Sequence, residues 1–275
     1  MRYSRTGSGP PLLLIHGISN LHNWDSVVAD LARERDVIAV DLPGFGESPP
    51  LSGEVSIATL TDAVEDFLRE HDLQDVDVVG SSMGARMALE MARRGHGGST
   101  VALDPGGFWS DTAVKYFAAT VVPSIAMVRR IQPLLPVLVN NRIGRTALLA
   151  QFSAKPWALD CDLVLRELRN FASSPSLFDA LQALIRGPKQ QGAPSGTLHA
   201  PVVIGWGRKD RVTLPRQAQR AQELFPDARM HWFSDCGHFP HWDKPAETVR
   251  LILDSTGVNP RFTGSPARGA KRPRA

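Results

Sequence analysis

Short runs of purely apolar residues constrain this chain more than any other feature. Pro11-Leu12-Leu13-Leu14-Ile15, bounded by Gly9-Pro10 and Gly17, is the sharpest. A run so short and so uniformly apolar reads as a parallel strand buried on both faces. Val37-Ile38-Ala39-Val40, Val76-Asp77-Val78-Val79, Val101-Ala102-Leu103 and Pro201-Val202-Val203-Ile204 repeat the pattern, and Met230-His231-Trp232-Phe233 follows it more loosely. Helical periods lie between them. Ile57, Leu60, Val64, Phe67 and Leu68 share one face, as do Met83, Met87 and Met91, whose helix is expected to stop at Gly95. Strands alternating with helices predict an α/β fold built on a doubly wound, mostly parallel sheet.

The alternation breaks after the fifth run. From 107 to 196, helical patterns follow one another without a strand, punctuated by Pro123, Pro133, Pro136, Pro156 and Pro175. About ninety residues without a strand is long for one crossover. This stretch is therefore expected to be a helical cap inserted into a core made of 1–106 and 197–256. At 275 residues and 43% hydrophobic, the chain suits one such domain with its insertion. The segment 257–275 reads as a disordered basic tail, carrying Arg261, Arg268, Lys271, Arg272 and Arg274 and no acid. Removing those five from the 31 basic residues leaves 26 against 28 acidic ones, so the body offers no basic surface for nucleic acid.

Cys161 and Cys236 stand 75 positions apart in no zinc or redox spacing, so no disulfide, metal or cofactor is expected and a cytoplasmic setting is simplest. Met1 to Pro10 is polar where a secretory signal needs an apolar run, and no apolar segment reads as an integral membrane span.

Gly80-Ser81-Ser82-Met83-Gly84 joins the Val76–Val79 strand directly to the helix of Met87 and Met91. A sharp strand-to-helix turn strains its central residue, and the flanking glycines let strand and helix pass closely. Ser82 is then lifted above the carboxyl edge of the sheet as a nucleophile, while Ser81 points away. A five-residue pattern also arises by chance as an inert turn. The serine has chemical meaning only if a base, an orienting acid and oxyanion donors reach the same rim.

Such groups are available. Asp210 follows the strand ending at Ile204, inside Gly207-Arg208-Lys209-Asp210, and His238 follows the next strand inside Cys236-Gly237-His238. Each group lies just beyond a strand's carboxyl end, so all three converge although 128 and then 28 positions separate them. Among the other histidines, His231 lies within a strand and His241 just before a helix, where structural roles fit better. Asp104 also follows a strand and is retained as an alternative acid. The backbone N–H groups of Ile18, after the first strand, and of Met83 are the expected oxyanion donors, each worth roughly 3 to 4 kcal/mol in the transition state. His16 reads as a hydrogen-bonding prop for that loop.

With these pieces in place the chain resembles the α/β-hydrolase superfamily over about residues 9 to 255. The marks are His16-Gly17, Asp41-Leu42-Pro43-Gly44-Phe45-Gly46-Glu47-Ser48, Gly80 to Gly84, Gly207 to Asp210 and Gly237-His238. The resemblance implies that Ser82 attacks an acyl carbon, His238 moves the proton, Asp210 orients the imidazole and water releases the acyl group. The Asp41–Ser48 loop is a structural hallmark there and reads as a tight turn.

Departures narrow the reaction. Epoxide hydrolases and haloalkane dehalogenases of this superfamily use an aspartate where this chain has Ser82, and epoxide hydrolases need cap tyrosines where the chain has only Tyr3 and Tyr116. Hydrolases of carbon–carbon bonds in ring-fission products share the serine, the cap and the Gly-His turn. They commonly carry a Gly-rich oxyanion loop and a Trp after the histidine, where this chain has Ile18-Ser19-Asn20 and Phe239. A carboxylic ester hydrolase leads, with the carbon–carbon hydrolase second; a silent ligand-binding member of the fold and an acyl transferase are further alternatives. Phe108, Trp109, Trp157 and Phe239 are expected to line a pocket for a small hydrophobic ester or acyl substrate. Only about ten residues precede the first buried strand, so either the sheet lacks the superfamily's usual edge strand or the start is misplaced.

Overall fold

The computed structural model describes residues 1–257. The tail expected to be disordered lies, from 258 onward, outside the described residues. Seven strands form one sheet: β1 (Tyr3–Gly7), β2 (Pro11–Ile15), β3 (Asp36–Val40), β4 (Asp77–Ser81), β5 (Thr100–Leu103), β6 (Val202–Gly207) and β7 (Arg229–Phe233). Their order is β1-β3-β2-β4-β5-β6-β7. Every neighbouring pair is parallel except β1 with β3.

The two faces of the sheet follow from the alternation of side chains along each strand. Leu13, Ile15, Ile38, Val40 and Val78 face α2 (Ile57–Glu70) and α3 (Met83–Arg94), packing with Leu60, Val64, Phe67, Met87 and Met91. Leu12, Leu14, Val37, Ala39 and Val79 face the other way, packing with Trp24, Val27 and Leu31 near α1 (Asp25–Leu31) and with Val249 and Ile252 of the C-terminal helix Pro245–Ser255. Burial on both faces is why these strands read as continuous apolar runs.

The sheet does have its edge strand, contrary to one expectation. β1 pairs antiparallel with β3, from Tyr3 opposite Val40 to Gly7 opposite Asp36. Its side chains are mostly exposed, so no apolar pattern marks it. Backbone pairing holds it, together with a salt bridge from Arg5 to Asp36 and the Tyr3 ring edge-on to Phe67 at 5.3 Å.

Between β5 and β6 the described chain has no strand, and five α-helices fill the interval. They are α4 (Asp111–Arg130), α5 (Leu135–Val139), α6 (Arg142–Leu149), α7 (Cys161–Ser173) and α8 (Leu177–Arg186). Their apolar faces join the α2–α3 side of the core through Phe117, Val121, Leu168, Phe171 and Leu181. Among the described residues no single helix is long and apolar enough to cross a membrane.

The strand order fixes where chemistry can occur. From β2 the chain moves outward to β3, then returns to place β4 on β2's other side. A crevice opens at the carboxyl ends of strands where the winding reverses in this way. The segments following β2 and β4 border it, and they carry Gly17-Ile18 and Ser82.

Candidate active site

Ser82 joins β4 to α3 at φ 57°, ψ −113°, a combination costly for any residue with a side chain. The crossing of strand and helix enforces it. A Cβ on Gly80 would lie 2.2 Å from the Gly84 carbonyl oxygen, and one on Gly84 would lie 2.2 Å from that of Ile15. The Ser82 backbone is pinned further by its N–H donating to Leu103 O (2.9 Å). Ser81 turns into the protein, its hydroxyl buried and without a partner among the described residues.

The structure brings the three predicted side chains together. His238 Nε2 accepts the Ser82 hydroxyl at 2.8 Å, and His238 Nδ1–H donates to Asp210 Oδ2 at 2.9 Å. A carboxylate cannot donate, which places the ring proton on Nδ1 and leaves Nε2 basic. Asp210 is almost fully buried. Its Oδ1 accepts from the N–H groups of Val212 (2.7 Å) and Thr213 (3.1 Å), and its Oδ2 also accepts from Thr213 Oγ1 (2.6 Å). Four donors keep an ionised carboxylate stable out of water. The His238 N–H donates to Phe152 O (2.7 Å), so the loop after α6 helps hold the imidazole.

Gly17 rests against the serine: a Cβ there would lie 3.0 Å from Ser82 Cβ and 3.5 Å from its Oγ. Ile18 follows directly, and Met83 is the first residue of α3, where backbone N–H groups have no partner within the helix. His16 acts as the expected prop. It donates from Nδ1 to Gly17 O (2.7 Å) and accepts at Nε2 from Leu42 N–H (3.0 Å), while burial lowers its pKa to about 4. The Asp41–Ser48 turn is likewise structural, with Asp41 accepting from the N–H groups of Leu21 and Glu47.

The rejected histidines have other partners. His241 is buried against Asn23 Oδ1 (2.9 Å), its pKa lowered to about 3 by burial, and His231 pairs with Glu247 (3.0 Å). The aromatic residues divide. Phe239 lies beside the His238 ring at 4.8 Å, and the Trp109 ring approaches Gly106, whose N–H points at Ser82 O. Phe108 and Trp157 are not brought to this cluster. Phe108 packs into a separate core with Trp206 and Phe225, and Trp157 is 45% exposed.

Two groups escaped the reading from sequence. Asp104, weighed only as a substitute acid, stands beside Asp210: Asp104, Asp210 and His238 present polar atoms within 4.8 Å of one another. Glu167 of α7 is buried and accepts from Ser19 Oγ (2.6 Å) and Asn23 Nδ2 (2.9 Å), tying the helical insertion to the loop after β2. Its one sequence signal is an acid at a core position among Leu163, Val164, Leu168 and Phe171. Burial raises its pKa to about 7.

A mostly parallel sheet carrying a serine on a strained turn at its switch point defines the alpha/beta hydrolase class. The sequence profile of the Alpha/beta hydrolase family matches residues 12–251, and the chain belongs to that family. It is a hydrolase by that membership. The chain is 30% identical over 271 residues to an uncharacterized protein of Mycobacterium tuberculosis, covering 91% of this chain and 77% of the relative. It is 26% identical over 278 residues to the 2-hydroxymuconate semialdehyde hydrolase of Pseudomonas sp. strain CF600, covering 90% and 87%. Among solved structures, a thermophilic esterase from Thermogutta terrifontis shares the fold, with a TM-score of 0.72 at 20% identity and coverage of 92% and 91%.

Proposed function

We propose that the protein is a serine hydrolase that cleaves a carboxylic ester of a small hydrophobic substrate through an acyl-enzyme on Ser82. One observation carries this reading: the unbroken hydrogen-bond chain from Ser82 Oγ through His238 to Asp210. As Oγ bonds to the ester carbon, its proton passes to His238 Nε2, and Asp210 stabilises the imidazolium that forms. The carbonyl oxygen, now an anion, meets the N–H groups of Ile18 and Met83. Collapse of the adduct breaks the carbon–oxygen bond to the alcohol, which takes the proton from Nε2. Water then attacks the acyl-serine, gives a proton to Nε2, and Ser82 Oγ recovers it as the carboxylic acid departs.

In this reading the helices between β5 and β6, within the proposed boundaries 107–196, cap the site. Trp109 and Phe239 are its apolar contacts, and the substrate is a small molecule acted on in the cytoplasm. The test is a series of p-nitrophenyl esters of increasing acyl length, with Ser82→Ala as control, beside labelling of the folded protein by a fluorophosphonate. Failure of the probe to label Ser82 overturns the reading. The likeness to 2-hydroxymuconate semialdehyde hydrolase favours one second reading, cleavage of a carbon–carbon bond in a ring-fission product. Turnover of a ring-fission dienoate faster than any ester selects it, and product analysis with added alcohols detects acyl transfer.

A further inference from the structure

The cluster holds one carboxyl more than a serine, a histidine and an acid require. Asp104 follows β5 directly with φ +48° and is completely buried. Its Oδ1 accepts the Gly207 N–H at 2.8 Å, while Oδ2 is buried with no donor to it among the described residues. The titratable groups facing it are Asp210 and Thr213's neighbour His238 on the catalytic loops, Asp243 beyond β7, and the Cys236 thiol. None of these is a lysine or arginine.

Two buried carboxyls with oxygens within 4.8 Å of one another do not both ionise without a cation to share. Asp210 receives four protein donors and is the better anion; Asp104 receives one. We infer that Asp104 is held as a neutral carboxylic acid at neutral pH, donating its Oδ2 proton to Asp210 and so positioning the acid of the site. Burial and the Asp210 charge push the Asp104 carboxyl well above the usual carboxylate range, in the same direction. Asp104 thus acts through Asp210 and not on His238. The kinetic consequences rest on the serine hydrolase reading, whereas the proton itself is observable without turnover.

The experiment compares full-length wild type with Asp104→Asn. Asparagine tolerates a positive φ, keeps an acceptor for Gly207 N–H and supplies an N–H donor to Asp210 in place of the O–H. Infrared difference spectra at pH 7.5 in deuterium oxide should show the C=O stretch of a protonated carboxyl in wild type and its loss in the variant. Ester kcat/KM should stay within about threefold, with the acid limb of the pH profile unmoved. If Asp104 is instead ionised, the band is absent, and removing its charge drops the acid limb by roughly two pH units, from Coulomb's law at an effective dielectric of about 20. Either result overturns the inference. Should the variant fail to fold, wild type labelled with 13C-aspartate reports the same band by its isotope shift, and absence of a shifted band overturns the inference equally. A protein that shows the band but neither turns over esters nor labels at Ser82 sinks the hydrolase reading and leaves the Asp104 proton standing.

Discussion

Replacing Glu167 with glutamine should change the shape of the stability–pH curve, not merely its height. In the folded protein the Glu167 carboxyl has a pKa of about 7, against 4.5 for an unperturbed glutamate, because burial outweighs the hydrogen bonds from Ser19 and Asn23. A raised folded pKa means that the native state keeps a proton the unfolded chain has already released. The associated stability is complete below 4.5 and is lost as the pH rises through about 7. That gap corresponds to about 3 kcal/mol. Glutamine offers Ser19 and Asn23 an acceptor but does not titrate, so the variant escapes the loss. Urea unfolding of both proteins, followed by tryptophan fluorescence from pH 4.5 to 8.5, gives the difference in unfolding free energy at each pH. All other titrations cancel in that difference, which should move by about 3 kcal/mol in the variant's favour as the pH rises. A difference that stays flat across the range refutes a buried, proton-holding Glu167.

The remaining predictions test other parts of the molecule. Burial lowers the pKa of His241 to about 3, so it contributes stability that is present above about 6.5 and lost as the pH falls toward 3; His241→Gln should flatten the acid side of the unfolding curve, and equal slopes count against it. Gly84→Ala would set a Cβ 2.2 Å from the Ile15 carbonyl oxygen, and a loss of about 3 kcal/mol or more is expected by chemical denaturation, together with weakened fluorophosphonate labelling. Ser82→Ala should leave stability nearly unchanged while ester turnover falls by about 10⁴-fold or more, measured with the best p-nitrophenyl ester.

What was legible in the sequence tracks how strongly burial constrains a segment. β2 through β6 are buried on both faces, so each left an apolar run, and the three predicted side chains could be located as the residues just beyond strand ends. β1 left no such run, because an edge strand with exposed side chains is specified by backbone pairing that composition does not record. The relation of Asp104 to Asp210 was hidden for a different reason. Both positions invite a carboxylate, but only the spacing between β5 and β6 decides that they meet, and that spacing is set by the parallel pairing of Leu103 with Gly205. Phe108 and Trp157 show that composition does not tell which aromatics meet the serine. An aromatic shortly after a strand end can turn into the core, as Phe108 does toward Trp206, and one between two helices can turn out to solvent, as Trp157 does between α6 and α7.

The bond from His238 N–H to Phe152 O has a mechanical meaning. Asp243 strengthens it by accepting from the N–H groups of both Ala154 and Gly237, clamping the loop after α6 to the histidine's own loop. The base is thus moored to the insertion as well as to the sheet. The packing of the helices between β5 and β6 therefore bears directly on the alignment of His238 with Ser82 and Asp210, because whatever displaces the Phe152 carbonyl pulls on the backbone that carries the imidazole.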